Sequence, residues 1–348
     1  MRTESLRRVN KRSHPNVAAG VMGYYAEASQ QFRNELARAV PRDEIKRLHQ
    51  KRPWLHFAVT AALVLTLAAS TIAIISLDVW YLWLPFAALS GLAIFNFTVL
   101  LHEVVHRAVI RESSPWFYRL VGILYAAPSG ISATQFIRWH LDHHDGLGSD
   151  SEDPKRHYLS PKINARWLKL LYFTPALFAI YFRAARREQE SYPAELRRRI
   201  AIERNLTILG HLALLALVGT LAGWGIALKA YVIPYFGFFP VAFALNRVGQ
   251  HYDIDPSDPA KWSTLVRGSL FWDAAFLWSN YHLEHHYFPS VPFYNLAKLQ
   301  LALRPFYESR GMVAHGYGDL VWHYIVLNRA PHTNWDSPGA GEPASARA

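Results

Sequence analysis

Three stretches of this chain carry no Lys, Arg, Asp or Glu for longer than a buried soluble helix needs. They are Trp54 to Leu77 (24 residues), Val79 to Leu101 (23) and Leu206 to Leu228 (23). As helices rising about 1.5 Å per residue, each is roughly 34–36 Å long, enough to cross a hydrocarbon core of about 30 Å. A fourth uncharged run, Ala230 to Leu245, has 16 residues and spans only if its helix continues past Asn246. In lipid every backbone polar group must be satisfied within the segment, so the expected class is an all-α integral membrane protein with four transmembrane helices.

Charge placement orients these spans. Residues 1–53 hold 12 Lys/Arg against 5 Asp/Glu, and residues 183–204 hold 7 Arg against 4 Glu. Basic flanks stay in the cytoplasm, which pairs the spans as two hairpins with both termini inside and the short links around Asp78 and Lys229 outside. Trp80, Tyr81, Trp83, Trp224 and Tyr231 fall at those outer ends, where amphipathic rings favour the headgroup zone. The net charge of +11 comes with no nucleic-acid recognition motif, so the bilayer and not nucleic acid is the expected partner. The expected location is a multi-pass membrane, the inner one in a bacterium. The first apolar run starts too far into the chain for a secretory h-region, so the first span is expected to be retained.

The organisation read from this pattern is a basic cytoplasmic segment (1–53) with an amphipathic helix over about Tyr24 to Leu48, a membrane domain (54–329), and a Pro-, Gly- and Ser-rich tail (330–348) expected to be disordered. Trp116 to Ile137 is interrupted by Arg119, Pro128 and Gly130, and Trp167 to Phe182 by Lys169 and Pro175. Both suit interfacial segments better than crossings.

The 17 histidines are clustered. His102 and His106 close the second span. His140, His143 and His144 follow in the central stretch, and His282, His285 and His286 come after the fourth span, both triplets spaced H-x-x-H-H. On a helix such spacings gather imidazoles on one side. His251, just after the fourth uncharged run, makes a ninth at the same depth. With the orientation above, all nine reach the cytoplasmic surface, held in a helical cap. His56 and His211 lie inside spans and read as packed, hydrogen-bonded residues; His14, His49, His157, His315, His323 and His332 lack a spacing partner.

With no cysteine in the chain, any metal is held by nitrogen and oxygen. Nine imidazoles exceed the four ligands of a tetrahedral zinc and suit two metals with open positions. Redox iron fits such a set better than magnesium or calcium, while copper and zinc remain open on ligand type. Glu103, Asp142, Asp153 and Glu284 are candidates to hold an imidazole N–H from behind; Asp145 and Asp150 read as solvated loop acids.

On these residues the chain resembles the membrane fatty acid desaturase superfamily. His102–His106, His140–His144 and His282–His286 match its three boxes in order, Asn280-Tyr281-His282-Leu283-Glu284-His285-His286-Tyr287-Phe288-Pro289 is similar to its third-box sequence, and His251 matches its additional histidine. The resemblance implies two iron ions held by the nine histidines, O2 as co-substrate, a lipid or acyl substrate, and electrons from ferredoxin or from cytochrome b5 with a reductase. No iron–sulfur, flavin or nicotinamide motif in the chain supplies them. Stearoyl-type desaturases place an Asn four residues before the additional His; here that position is Arg247, with Asn246 one residue earlier and still a candidate to approach a metal. Gly148 to Pro154 is similar to the membrane carotenoid hydroxylases of the same superfamily. The expected activity is fatty acyl desaturation. Hydroxylation of a fatty acid or carotenoid is the alternative, and a membrane zinc hydrolase or a metal transporter or sensor the more distant ones.

Overall fold

A computed structural model describes residues 24–111, 114–149 and 151–333. Helices dominate, and the described residues contain no strand beyond one isolated bridge between Val266 and His315. His14, Asp150 and residues 334–348 lie outside the described residues.

The amphipathic segment expected over Tyr24 to Leu48 is three short helices, α1 (Tyr24–Ala28), α2 (Gln30–Ala39) and α3 (Arg42–Leu48). Pro41 lacks the N–H that would continue α2 and instead opens α3. Four helices are long and apolar enough to cross a membrane: α4 (Pro53–Ser76), α5 (Trp80–Val105), α10 (Ala194–Leu221) and a continuous 28-residue helix over Trp224–His251. The last consists of α11 (Trp224–Ala227), a π-helical stretch (Leu228–Phe238) and α12 (Phe239–His251). Pro234, which cannot donate to the preceding turn, sits within the widened stretch. The helix does run past Asn246 because Asn246, Arg247 and His251 are buried in protein and lipid never meets them.

The spans differ in burial, and this fixes their roles. In the most apolar window of α5, 61% is buried inside the protein, against 6% for α10. α5 is therefore the central post, packed on α4, on the π stretch and on α12. α4 and α10 turn Leu65, Ile72, Leu206 and Leu209 outward, as lipid-facing surfaces do. Lys51, just before α4, donates to the Arg107 carbonyl just after α5 (2.7 Å), so these two ends share one side of the molecule. At the opposite side Lys229 donates to the Leu77 carbonyl (2.8 Å), and its ammonium lies 5.6 Å from the Trp83 ring centre. Trp80, Tyr81 and Trp224 are exposed there, whereas Trp83 is buried beneath Lys229.

Close approach of α5 to the π stretch requires glycine at position 91. A Cβ there would lie 2.5 Å from Phe238 Cβ and 2.7 Å from the Pro234 carbonyl oxygen. Backbone cannot retreat as a flexible side chain does, so Gly91→Ala is expected to destabilise the chain by about 1–3 kcal/mol. Thermal unfolding in detergent checks this; an unchanged midpoint would contradict the contact.

Between the spans, α6 (Pro115–Ala126) and α7 (Ala133–Asp145) meet at a 97° bend. Gly130 makes the turn at φ +71°, tight against the Tyr235 hydroxyl. α8 (Arg166–Leu171) and α9 (Ala176–Gln189) follow, and after the fourth span come α13 (Leu270–Ala275), α14 (His282–Tyr287), α15 (Leu296–Ser309) and α16 (Tyr317–Val321). The first residues of the Pro- and Gly-rich tail are packed: Ala330 accepts from Lys169 Nζ, and His332 is buried with Nε2 2.9 Å from the Arg247 carbonyl.

Candidate metal centre

The histidine-bearing elements are fixed before any metal is considered. The last turn of α5 carries His102, and His106 caps it. α7 is anchored at its start by Glu203 of α10, which accepts from Ser132 Oγ (2.7 Å), Thr134 N (2.9 Å) and Thr134 Oγ1 (2.6 Å). A carboxylate at a helix N-terminus satisfies free N–H groups and meets the positive end of the dipole. α14 is only one and a half turns long and every residue in it is buried. Asp273 holds its entry, accepting from Asn280 Nδ2 and from the Tyr281 hydroxyl, both at 2.9 Å. Glu284 ties it to α15, accepting from Gln300 Nε2 and the Tyr307 hydroxyl, both at 2.8 Å.

All nine predicted histidines meet, in two groups. His102, His106, His140, His144 and His285 form one; His143, His251, His282 and His286 form the other, with one ligand atom per residue within 4.8 Å of the rest in each group. Both H-x-x-H-H boxes divide the same way. The i and i+4 residues (His140 with His144, His282 with His286) stay together, and the i+3 residue crosses to the other group. At 3.6 residues per turn, i+3 and i+4 point about 100° apart, so one short helix feeds two adjacent centres. The His144 and His286 ring centres, one from each group, are 4.4 Å apart.

The hydrogen bonds behind the rings decide what the front atoms are. His251 Nδ1 faces the Trp262 carbonyl at 3.0 Å; a carbonyl only accepts, so the proton is on Nδ1 and Nε2 carries a lone pair. His143 Nδ1 faces Asp153 Oδ1 at 2.8 Å, an oxygen that also accepts from the backbone of Lys155 and Arg156. The imidazole is again the donor and its Nε2 the lone-pair atom. These two Nε2 atoms are 3.2 Å apart, and His251 Nε2 also lies 3.1 Å from His282 Nε2 and 3.3 Å from His286 Nε2. Opposed lone pairs repel, and one nitrogen cannot make three hydrogen bonds. A cation at the point of convergence resolves both problems. In the other group, His102 Nε2 and His106 Nε2 are buried with no hydrogen-bond partner, a cost of about 1–3 kcal/mol each if left so. Burial and mutual repulsion hold His282, His285 and His286 well below the usual imidazole pKa, so they stand neutral at pH 7, as metal ligation requires. The donor set fits two metal ions.

Of the acids expected behind the rings, Asp153 holds His143. Glu103 lies 3.8 Å from His102 Nδ1 and accepts from Phe293 N at 3.1 Å. Asp142 instead pairs with Arg138 (2.8 Å) and the Tyr192 hydroxyl, and Glu284 braces α15, so neither is hydrogen-bonded to an imidazole. Burial pushes the Glu284 carboxyl up to about 7. Asn246 donates to Ser279 Oγ (2.8 Å) and accepts from Gln250 Nε2 (2.6 Å); it lines the cavity beside the rings and makes no bond to one. His56 and His211 are packed and hydrogen-bonded within spans, to the Tyr125 hydroxyl and to the Tyr231 hydroxyl and Ala127 carbonyl. Sequence reasoning missed Lys155, whose Nζ is 2.9 Å from His140 Nδ1. Burial pushes its ammonium down to about 7; in its neutral form the amine accepts a hydrogen bond from Nδ1–H, the arrangement that leaves a lone pair on His140 Nε2.

Comparison with known proteins agrees with this geometry. Residues 78–318 match the fatty acid desaturase family. The chain belongs to that family. It is 25% identical over 323 residues to the human sphingolipid delta(4)-desaturase/C4-monooxygenase DES2, covering 87% of this chain and 89% of that protein. The sphingolipid delta(4)-desaturase DES1-like protein of Arabidopsis thaliana is 24% identical over 293 residues, 81% of each chain. The dihydrorhizobitoxine desaturase of Bradyrhizobium elkanii is 25% identical over 253 residues, 67% of this chain and 71% of that one. The chain is thus a desaturase-type oxidoreductase of membrane lipid metabolism, and the zinc-hydrolase and transporter readings fall away.

Proposed function

We propose that the nine histidines hold two iron ions and that the enzyme uses O2 to introduce a double bond into a lipid chain close to its polar end. The observation that carries this is the opposition of lone-pair nitrogens within two adjacent all-imidazole groups. His102, His106, His140, His144 and His285 would hold one ion, and His143, His251, His282 and His286 the other. Iron in this setting supplies, with O2, the removal of hydrogen from an unactivated C–H bond, chemistry no side chain provides.

The chain's own residues would bind and position the substrate. Beside the imidazoles lies a cavity of about 90 Å³, walled by Phe95, Val99, Phe136, Phe243 and Phe293 and reached by His102, His140, His282 and His285. Its apolar side would keep a hydrocarbon segment against the rings, while Asn246, Arg247, Gln250 and Ser279 make part of the wall polar. Asp153 and the Trp262 carbonyl fix the tautomers of His143 and His251. The names of the relatives support a lipid oxidised at its fourth carbon, by desaturation or by monooxygenation.

The same reading places the spans as two hairpins, with α14, α15 and the second box in a cytoplasmic cap and both termini on that side. The Lys51–Arg107 contact, the opposite Lys229–Leu77 contact and the basic flanks support it. Ferredoxin, or cytochrome b5 with its reductase, would then deliver electrons from the cytoplasm.

The test is metal analysis of the purified chain together with lipid profiling of cells that express it. Iron in both groups and a new O2-dependent double bond are expected; a hydroxylated product would move the reading to its monooxygenase alternative, and a lone zinc would end it.

A further inference from the structure

The cavity that touches the imidazoles also touches a cation the metal centre does not use. Arg247 lines it alongside Gln250, Asn246 and Ser279. Its side chain is buried, with 7% of the residue exposed. Nη2 donates to Ser160 Oγ at 3.1 Å, and among the described residues no carboxylate forms an ion pair with the guanidinium. Asp153, whose charge it feels, is committed to His143 and to two backbone N–H groups. Burying a charge without a counter-charge costs several kcal/mol, and guanidinium remains protonated. An anion entering the cavity would offset that cost.

Cavity size sets how far that anion stands from the chemistry. Arg247 and the imidazoles of His102, His140, His282 and His285 line one and the same small space of about 90 Å³. An anion on Arg247 and a carbon beside His102 and His282 therefore belong to one short segment.

We propose that Arg247 binds an anionic oxygen group of the substrate, a carboxylate or a phosphate, and so places the oxidised carbon only a few bonds from that group. This rests on the reading of the imidazole groups as the oxidising centre. The planar fork of the guanidinium suits two oxygens at once.

Equilibrium dialysis of the iron-loaded chain in detergent, with radiolabelled hexanoate, hexyl phosphate and hexanol as probes, tests the proposal. One charge-assisted contact predicts that at least one anionic probe binds roughly 10- to 100-fold more tightly than hexanol. Whichever anion binds better identifies the source: hexanoate points to a free carboxylate, hexyl phosphate to a phosphate-bearing headgroup. In Arg247→Gln the preference for the anion should vanish, and in Arg247→Lys it should persist. Equal binding of all three probes by the unmodified chain overturns the proposal. So does anion binding unchanged in Arg247→Gln, which would place the anion on the metal instead. Should Arg247→Gln fail to fold, the same dialysis of the unmodified chain after iron removal decides: an anion preference that survives supports the proposal, and one lost with the iron overturns it. Iron content, measured on the same samples, reports separately on the metal reading.

Discussion

His251→Ala is expected to lower the iron content of the purified chain by about half and to abolish turnover. His251 Nε2 is the hub of its group, 3.1–3.3 Å from the Nε2 atoms of His143, His282 and His286. Without it three imidazoles remain, spread over α7 and α14. The five-histidine group shares no residue with it and should keep its ion. His285→Ala makes the reciprocal case, taking from the five-histidine group its only residue from the third box. Metal analysis by mass spectrometry, beside an activity assay, reads both variants. Full iron content and activity in either would sever the link between the convergence and metal binding.

Asp153→Ala should weaken metal at the four-histidine group by about 10- to 100-fold while sparing the other. Without the carboxylate, His143 is free to move its proton to Nε2, where it would face the ion. Asp153→Asn retains an oxygen that can accept from Nδ1, so its effect should be smaller than that of alanine. Titration of apo protein with Fe2+ under anaerobic conditions separates the two groups. A single unperturbed binding curve for Asp153→Ala would show that the 2.8 Å contact does not set the tautomer.

Much of this was legible because the bilayer imposes length and exclusion of charge on a sequence. Val79 to Leu101 announced α5, and the uncharged run ending at Leu245 announced most of the fourth span. What could not be read was that this helix would carry Asn246, Arg247 and His251 onward, since polar side chains look the same whether they face water or a cavity. The box spacing gave eight of the nine imidazoles, and position after the fourth run gave His251, but not their division into five and four, which follows from how α7 and α14 face each other. Among the acids, Asp153 was found where expected behind an imidazole. Asp142 and Glu284 occupy equivalent box positions, yet one meets Arg138 and the other Gln300 and Tyr307. The Trp262 carbonyl left no trace, because a backbone acceptor is present at every residue and only the fold aims it. The break at Pro41 was visible in the sequence and outweighed the amphipathic pattern around it.

The unequal division of the boxes has a consequence for biosynthesis. Four of the five imidazoles in the larger group lie between His102 and His144, and are synthesised long before His285. The smaller group has only His143 in hand until His251, and is complete only at His286. Both groups are nevertheless closed only by the third box, at His285 and His286, so a chain truncated before α14 should form neither group complete.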